Sequence, residues 1–331
     1  MTDRHEYARQ RRRTLGLLFA SASGALLAGA APLVRAAAPL REIRIGYQKY
    51  GTLTLLKGRG TLEQRLKAGN VAVKWTEFPA GPQLLEGLNV GSIDFGTVGE
   101  APPIFAQAAG AALVYVGNEP PSPSSEAIVV PRTSTLRTLA DLRGKKIALN
   151  KGSNVHYLLV KALEKANIPY ADIQPVYLPP ADARAAFERG AVDAWAIWDP
   201  FLAAAEKQLG ARVLASGEGL VANHQFYLSS RDFARQHPDV VRIVIEELAK
   251  VDAWGSAHPQ EVSAILSAQT GLPPEVVALA ASRYAYGVKA VTPRVLAEQQ
   301  KIADVFHGLK LIPKPIAVRE AQPPATLLAK E

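Results

Sequence analysis

Three short stretches of the chain repeat one arrangement: strand-like residues, a turn of small residues, then the start of a helix. They are Ile45-Gly46-Tyr47-Gln48-Lys49-Tyr50-Gly51-Thr52-Leu53, Phe95-Gly96-Thr97-Val98-Gly99-Glu100-Ala101-Pro102-Pro103 and Ala148-Leu149-Asn150-Lys151-Gly152-Ser153-Asn154-Val155-His156-Tyr157. Glycine lets backbone approach closely. Thr52, Ser153 and Asn154 are residue types that cap helices, and Pro102 or Pro103 suits a first helical turn. The first turn of a helix carries unbonded N–H groups and a partial positive charge, which makes it a ready site for an oxyanion. In open α/β sheets such sites lie at the carboxyl ends of the strands. Three helix starts meeting in one cleft would hold a tetrahedral anion such as a sulfonate without any arginine. Taken singly, each does no more than begin a helix.

A fourth group is Asp193-Ala194-Trp195-Ala196-Ile197-Trp198-Asp199-Pro200-Phe201. Strand alternation puts Trp195 and Ile197 on one face and Ala194, Ala196 and Trp198 on the other. Trp195 reads as a core aromatic. Trp198 falls at the strand's carboxyl end beside Asp199, where it either walls the apolar part of a ligand or joins the core. In Asn223-His224-Gln225-Phe226-Tyr227, His224 and Gln225 have the donors to bind a ligand or to satisfy loop backbone.

Signals for catalysis are poor. There is no G-x-S-x-G, H-E-x-x-H or G-x-x-x-x-G-K-[ST] motif. The six histidines show no metal-ligand spacing. The absence of cysteine removes disulfides, thiolate nucleophiles, Cys-ligated metals and a lipid anchor on cysteine. Glu100, Asp199 and His156 could form an acid–base set, but their spacing does not argue for one.

The elements that must position these groups read as α/β layers. Ten short runs rich in Val, Ile and aromatics predict strands at Ile43–Tyr47, Lys74–Phe78, Ile93–Val98, Leu113–Gly117, Ala127–Pro131, Lys146–Asn150, Pro175–Leu178, Ala194–Trp198, Arg212–Ala215 and Phe226–Ser229. Helical patterns such as Tyr157–Ala166 and Asp182–Arg189 lie between them, which predicts largely parallel sheets. From Asp232 to about Leu309 the periodicity is helical, with Pro238, Pro259, Pro273-Pro274 and Pro293 where helices should start. The proline-rich stretch after Ile312 predicts an irregular surface tail over residues 317–331. Two segments could join lobes, Glu119–Glu126 and His224–Ser230. This predicts one lobe from residues 41–126 and 229–316 and a second from residues 127–228, with a hinge of two crossings. A single continuous α/β domain is the alternative.

The N-terminus has a character of its own. Arg9, Arg11, Arg12 and Arg13 precede an apolar stretch from Leu15 to about Val34, closed by the small residues Ala36, Ala37 and Ala38. This is the order of a secretory signal over residues 1–36, and Arg12-Arg13 also fits a twin-arginine signal. An uncleaved membrane anchor is the competing reading. The whole chain carries +8; the segment holds six basic and two acidic residues, so about +4 remains on the rest. That mild charge does not point to nucleic acid.

The stretches named above, with Glu77-Phe78-Pro79-Ala80-Gly81-Pro82-Gln83-Leu84-Leu85-Glu86, Gly91-Ser92-Ile93-Asp94-Phe95-Gly96, Ala101-Pro102-Pro103-Ile104-Phe105-Ala106-Gln107-Ala108, Val176-Tyr177-Leu178-Pro179-Pro180-Ala181-Asp182-Ala183-Arg184 and Trp198-Asp199-Pro200-Phe201, carry a family resemblance. The chain resembles the alkanesulfonate-binding proteins (SsuA type) of the sulfonate, nitrate and taurine group of ABC importers, from about Arg41 to Ala257 and more weakly to Ile316. The resemblance implies a type II periplasmic-binding-protein fold, with two α/β lobes, a two-crossing hinge and a helical C-terminal part. It implies an alkanesulfonate bound in the cleft by Gln48, Gly51, Thr52, Glu100, Ala101, Ser153, Asn154, Trp198, Asp199 and Gln225. It further implies a monomer in the periplasm, with no cofactor and no metal, that delivers its ligand to a permease with a cytoplasmic ATPase. The related importers often have Asp where this chain has Glu100, and the longer carboxylate would also suit a ligand bearing an amine. Taurine, nitrate, bicarbonate and a pyrimidine precursor of thiamine are the alternative ligands. Enzymes share this fold, but the sulfinate-cleaving type relies on a cysteine nucleophile and the pyrimidine-making type on a His and Cys set.

Overall fold

The computed structural model describes residues 40–325 and Leu327, so the expected export segment lies outside the described residues. The chain first forms β1 (Glu42–Tyr47), α1 (Gly51–Arg59), α2 (Thr61–Lys67), β2 (Ala72–Glu77), α3 (Gly81–Asn89), β3 (Phe95–Gly99), α4 (Pro102–Ala108) and β4 (Leu113–Asn118). Then come β5 (Glu126–Val130), β6 (Lys146–Leu149), α5 (Asn154–Lys165), β7 (Gln174–Tyr177), α6 (Pro180–Glu188), β8 (Ala194–Trp198), α7 (Phe201–Leu209) and β9 (Arg212–Ser216). Last are β10 (Gln225–Ser230), α8 (Arg231–Gln236), α9 (Pro238–Ala257), α10 (Pro259–Thr270), α11 (Pro274–Ser282) and α12 (Pro293–Gly308). All ten predicted strands are present, with ends displaced by a residue or two. Helices α9 to α12 each begin on a proline, whose missing N–H is no loss in a first turn.

The strands form two five-stranded sheets, ordered β2-β1-β3-β10-β4 and β7-β6-β8-β5-β9. Each sheet has apolar layers on both faces, and strand alternation divides its residues between them. In β8, Ala194 and Ala196 join one cluster while Trp195 and Ile197 join the other, as the sequence predicts. In β10, Phe226 and Leu228 pack on one side and Tyr227 on the other.

Three expectations need correction. The sheets are mixed rather than largely parallel, because β10 runs antiparallel to β3 and β4, and β5 antiparallel to β8 and β9. Both strands follow a passage from the other sheet that contains no α-helix, and a helical crossover is what returns a chain to run parallel. The second passage lies at residues 217–224, not His224–Ser230, which is almost wholly β10 in the first sheet. The boundary expected at residue 228 therefore falls inside a strand. The tail, finally, is not wholly a surface feature. Val318 and Ala321, in a short 3-10 turn, are buried against the core that contains Ile104 and Phe306. The Gln107 amide donates to the Ala317 carbonyl at 2.9 Å, and the Val318 N–H to Gln300 Oε1 at 2.9 Å. Among the described residues no helix is long and apolar enough to cross a membrane.

Candidate ligand cleft

A cleft of about 730 Å³, its open mouth included, lies where the carboxyl ends of strands from both sheets meet. Four helices begin on residues that line it: α1 at Gly51, α3 at Gly81, α4 at Pro102 and α5 at Asn154. In none of the four does the N-cap side chain accept a hydrogen bond from the first turn. Helices α8 and α12 differ, because Ser230 and Thr292 cap them. The backbone N–H groups at the cleft-facing starts are thus left without the partner a cap would supply, and their helix dipoles add positive potential. Pro102-Pro103 removes two donors from α4, so α1 and α5 contribute most. Lys49 is the only basic side chain among the described residues that line the cleft.

A chain of polar side chains runs across the same space. Gln48 Nε2 donates to the Thr97 carbonyl at 3.2 Å, and the Tyr50 hydroxyl donates to Gln225 Oε1 at 2.7 Å. Asn154 Nδ2 donates to Asn223 Oδ1, and Asn223 Nδ2 donates to the Ser122 carbonyl and to Ser125 Oγ. Asn223 takes a left-handed backbone, φ 53°, a conformation asparagine tolerates better than most residues. The Ala101 N–H reaches Asn154 Oδ1 at 3.5 Å, so the start of α5 rests on the end of β3. This approach requires Gly99: a Cβ there would fall 1.9 Å from the Asn154 side chain.

Seven of the ten expected residues line this cleft: Gln48, Gly51, Ser153, Asn154, Trp198, Asp199 and Gln225. The Ser153 hydroxyl turns back to the Asn150 carbonyl at 2.7 Å. Asp199 accepts from the Ala203 N–H at 2.9 Å, which caps α7, and its other oxygen lies 3.5 Å from Arg283. Burial lifts its pKa to about 6, with Arg283 opposing the rise.

Thr52, Glu100 and Ala101 do not line the cleft. Thr52 is buried with its hydroxyl 2.6 Å from Asp252 and 3.3 Å from Glu119, turned into a cluster of acids beneath α1. Ala101 is fully buried. Glu100 borders a separate cavity with Tyr157, His224 and Glu298. One of its carboxylate oxygens accepts from the His224 N–H at 3.1 Å and the other has no partner. Burial pushes its pKa up to about 7; the His224 and Asn223 amides oppose that rise and Glu298 adds to it. His156 is a packing residue. Its Nδ1 accepts from the Gly152 N–H, its Nε2 lies 2.9 Å from the Tyr170 hydroxyl, and burial lowers its pKa to about 4. Glu100, Asp199 and His156 therefore answer to different partners and do not form one acid–base set.

The far wall is the part that sequence reasoning missed. It comes from Leu266 and Thr270 on α10, from Val277, Ala280 and Ala281 on α11, and from Tyr284 and Tyr286 just beyond. The spacings, four apart on α10 and three to four on α11, are those of any core-facing helix, so nothing in them singles out a ligand wall. Among the described residues no group of three or more His, Asp or Glu could hold a metal ion.

Residues 68–262 match the NMT1/THI5-like family model. An Escherichia coli (strain K12) protein named for binding aliphatic sulfonates is 47% identical over 280 residues, which is 84% of this chain and 87% of that one. This chain belongs to that family. Its resemblance to the alkanesulfonate-binding proteins holds at the level of structure as well. The alkanesulfonate-binding protein SsuA of Xanthomonas axonopodis pv. citri, solved bound to MOPS, superposes with a TM-score of 0.83 at 46% identity, covering 86% of this chain and 99% of the other. The periplasmic aliphatic sulphonate binding protein SsuA of Escherichia coli gives 0.78 at 46% identity, over 86% and 93%. The periplasmic-binding-protein fold expected of this family is thus the fold of the chain.

Proposed function

We propose that this protein is the solute-binding component of an ABC importer, that it captures alkanesulfonates, and that it hands them to a membrane permease with its ATPase. The observation that carries the reading is the meeting of side-chain-free helix starts and an apolar helical wall in one cleft. A sulfonate has three acceptor oxygens on a tetrahedral sulfur and one apolar arm. Its oxygens suit the N–H groups of α1 and α5, and its arm suits the wall of α10 and α11. Nitrate, bicarbonate and sulfate have no arm to place there, and taurine would bring an ammonium group to an apolar surface. In this reading the two sheets head two lobes that close on the ligand about the passages at residues 119–125 and 217–224. The N-terminal basic, apolar and small-residue segment supports export to the periplasm, and the protein acts as a monomer. The absence of cysteine and the scattering of Glu100, Asp199 and His156 favour binding over catalysis.

Isothermal titration against hexanesulfonate, taurine, nitrate, sulfate and a thiamine pyrimidine precursor tests the assignment. Hexanesulfonate is expected to bind most tightly. Clear binding of another member with none of hexanesulfonate overturns it.

A further inference from the structure

Glu126 opens β5 and is fully buried, with neither carboxylate oxygen partnered among the described residues. Its place follows from the sheet. It pairs with Trp198, the last residue of the antiparallel strand β8, which lines the cleft. Strand alternation puts it on the face of Ile128 and Val130, which pack in one cluster with Val155 and Leu158 of α5. Helix α5 follows β6, the parallel neighbour of β8, and so begins at the carboxyl ends of both strands. Glu126 therefore lies beside the first turn of α5, a layer behind the proposed seat of the anion, and the preceding Ser125 lines the cleft itself. A partnerless acid in that position costs the fold stability and returns no hydrogen bond to it.

The groups around Glu126 supply no counter-charge. Burial lifts its pKa well above the usual carboxylate range, and Glu100, just past β3, adds to the rise. Glu100 accepts from backbone amides and Glu126 from nothing, so the first negative charge of the pair settles on Glu100. Glu298 on α12 raises Glu100 further and faces His224. On α5, burial holds His156 neutral and raises Tyr157, as it raises Tyr50 ahead of α1. Asp199, after β8, is engaged by Arg283. The two nearest lysines in sequence to the helix starts are turned elsewhere, Lys49 to Glu77 and Lys151 over the Tyr177 ring.

We propose that Glu126 makes anion capture proton-linked: the protein grips its sulfonate with Glu126 neutral, and ionisation of Glu126 loosens that grip. The proposal rests on the reading of the cleft as the sulfonate site. An alkanesulfonate is anionic throughout the pH range in which proteins fold, so a pH dependence of its affinity belongs to the protein. A carboxylate beside α5 would cancel the positive potential of the helix start and repel the anion through a medium that screens poorly. By linkage, a seated anion raises the proton affinity of Glu126, and binding takes up a proton where the free protein has begun to lose it.

Calorimetry of the intact protein with hexanesulfonate between pH 5.5 and about 9.5, in buffers that carry no sulfonate group, provides the test. Affinity should fall on the order of tenfold as pH rises. On the falling limb, the heats in two buffers of different ionisation enthalpy should differ by the proton taken up. Glu126→Gln and Glu126→Met should both bind at every pH as the wild type does in acid, with no buffer-dependent heat. The Met variant leaves no polar atom unpaired and guards against a folding defect in the Gln variant. Glu100→Gln should keep the fall and move it to lower pH, because Glu126 then ionises beside a neutral neighbour. A flat wild-type profile overturns the linkage while the reading of the cleft stands. A fall that survives both Glu126 variants, or that Glu100→Gln abolishes, overturns the assignment to Glu126. If hexanesulfonate fails to bind at any pH, the reading of the cleft falls and the linkage with it.

Discussion

Glu100 holds its place with one oxygen on a backbone amide and the other on nothing. Its folded pKa, pushed up to about 7 by burial, exceeds that of an unfolded glutamate. The folded state therefore holds the proton more tightly, and stability falls as pH rises from the unfolded pKa through about 7. Glu100→Gln keeps an acceptor for the His224 N–H and cannot ionise. At pH 8 it should raise stability by about 3 kcal/mol, and near pH 4.5 it should change little. Denaturant melts at both values check this, and an equal effect at the two would sink it. Tyr50 makes a different contribution. Tyr50→Phe removes the donor to Gln225 and should weaken ligand binding about fivefold, the worth of one hydrogen bond near 1 kcal/mol; unchanged affinity by titration counts against the polar chain. At this scale the sequence was half legible. Gly51, Ser153 and Asn154 were visible as the small and capping residues of a turn. The partner of Thr52 was not, because Asp252 stands two hundred residues away, and a hydroxyl that can face a ligand can equally face a buried acid.

Elements were more legible than contacts. Short runs rich in Val, Ile and aromatics marked the strands, and prolines at first turns marked the starts of α9 to α12, because both signals are local. The antiparallel course of β5 and β10 escaped because direction depends on what a connection does in space. The role proposed for α10 and α11 escaped because a ligand wall and a core face share one spacing. The contact between the end of β3 and the start of α5 is testable at this scale. Gly99→Ala places a methyl where Asn154 lies, and overpacking of this kind typically costs 1–3 kcal/mol. The protein should still fold, since both elements have their own sheets, while affinity drops about tenfold. Circular dichroism and titration together measure this; a folded variant with native affinity would show that the contact does not shape the cleft.

Over the whole molecule, the described chain passes between the sheets through residues 119–125 and again through 217–224. A second tie spans α7 and α11: Ala203 and Ala204 pack on Val276 and Ala280, while Arg283 reaches Asp199 and Glu206, the latter at 2.6 Å. If the sheets head lobes that close, saturating hexanesulfonate should shrink the radius of gyration seen by small-angle scattering. It should also stabilise the fold, by about 2.7 kcal/mol at one hundred times the Kd. Stabilisation without contraction would mean that the ligand enters a cleft already closed.

The uncapped helix starts carry a consequence for how such a protein changes over generations. A grip made of main-chain N–H groups is encoded by every residue type except proline. On the proposed reading, substitutions around the cleft can recast the wall that meets the ligand's arm and leave the seat of the anion untouched. Drift from one organic anion to the next then needs no intermediate that binds nothing.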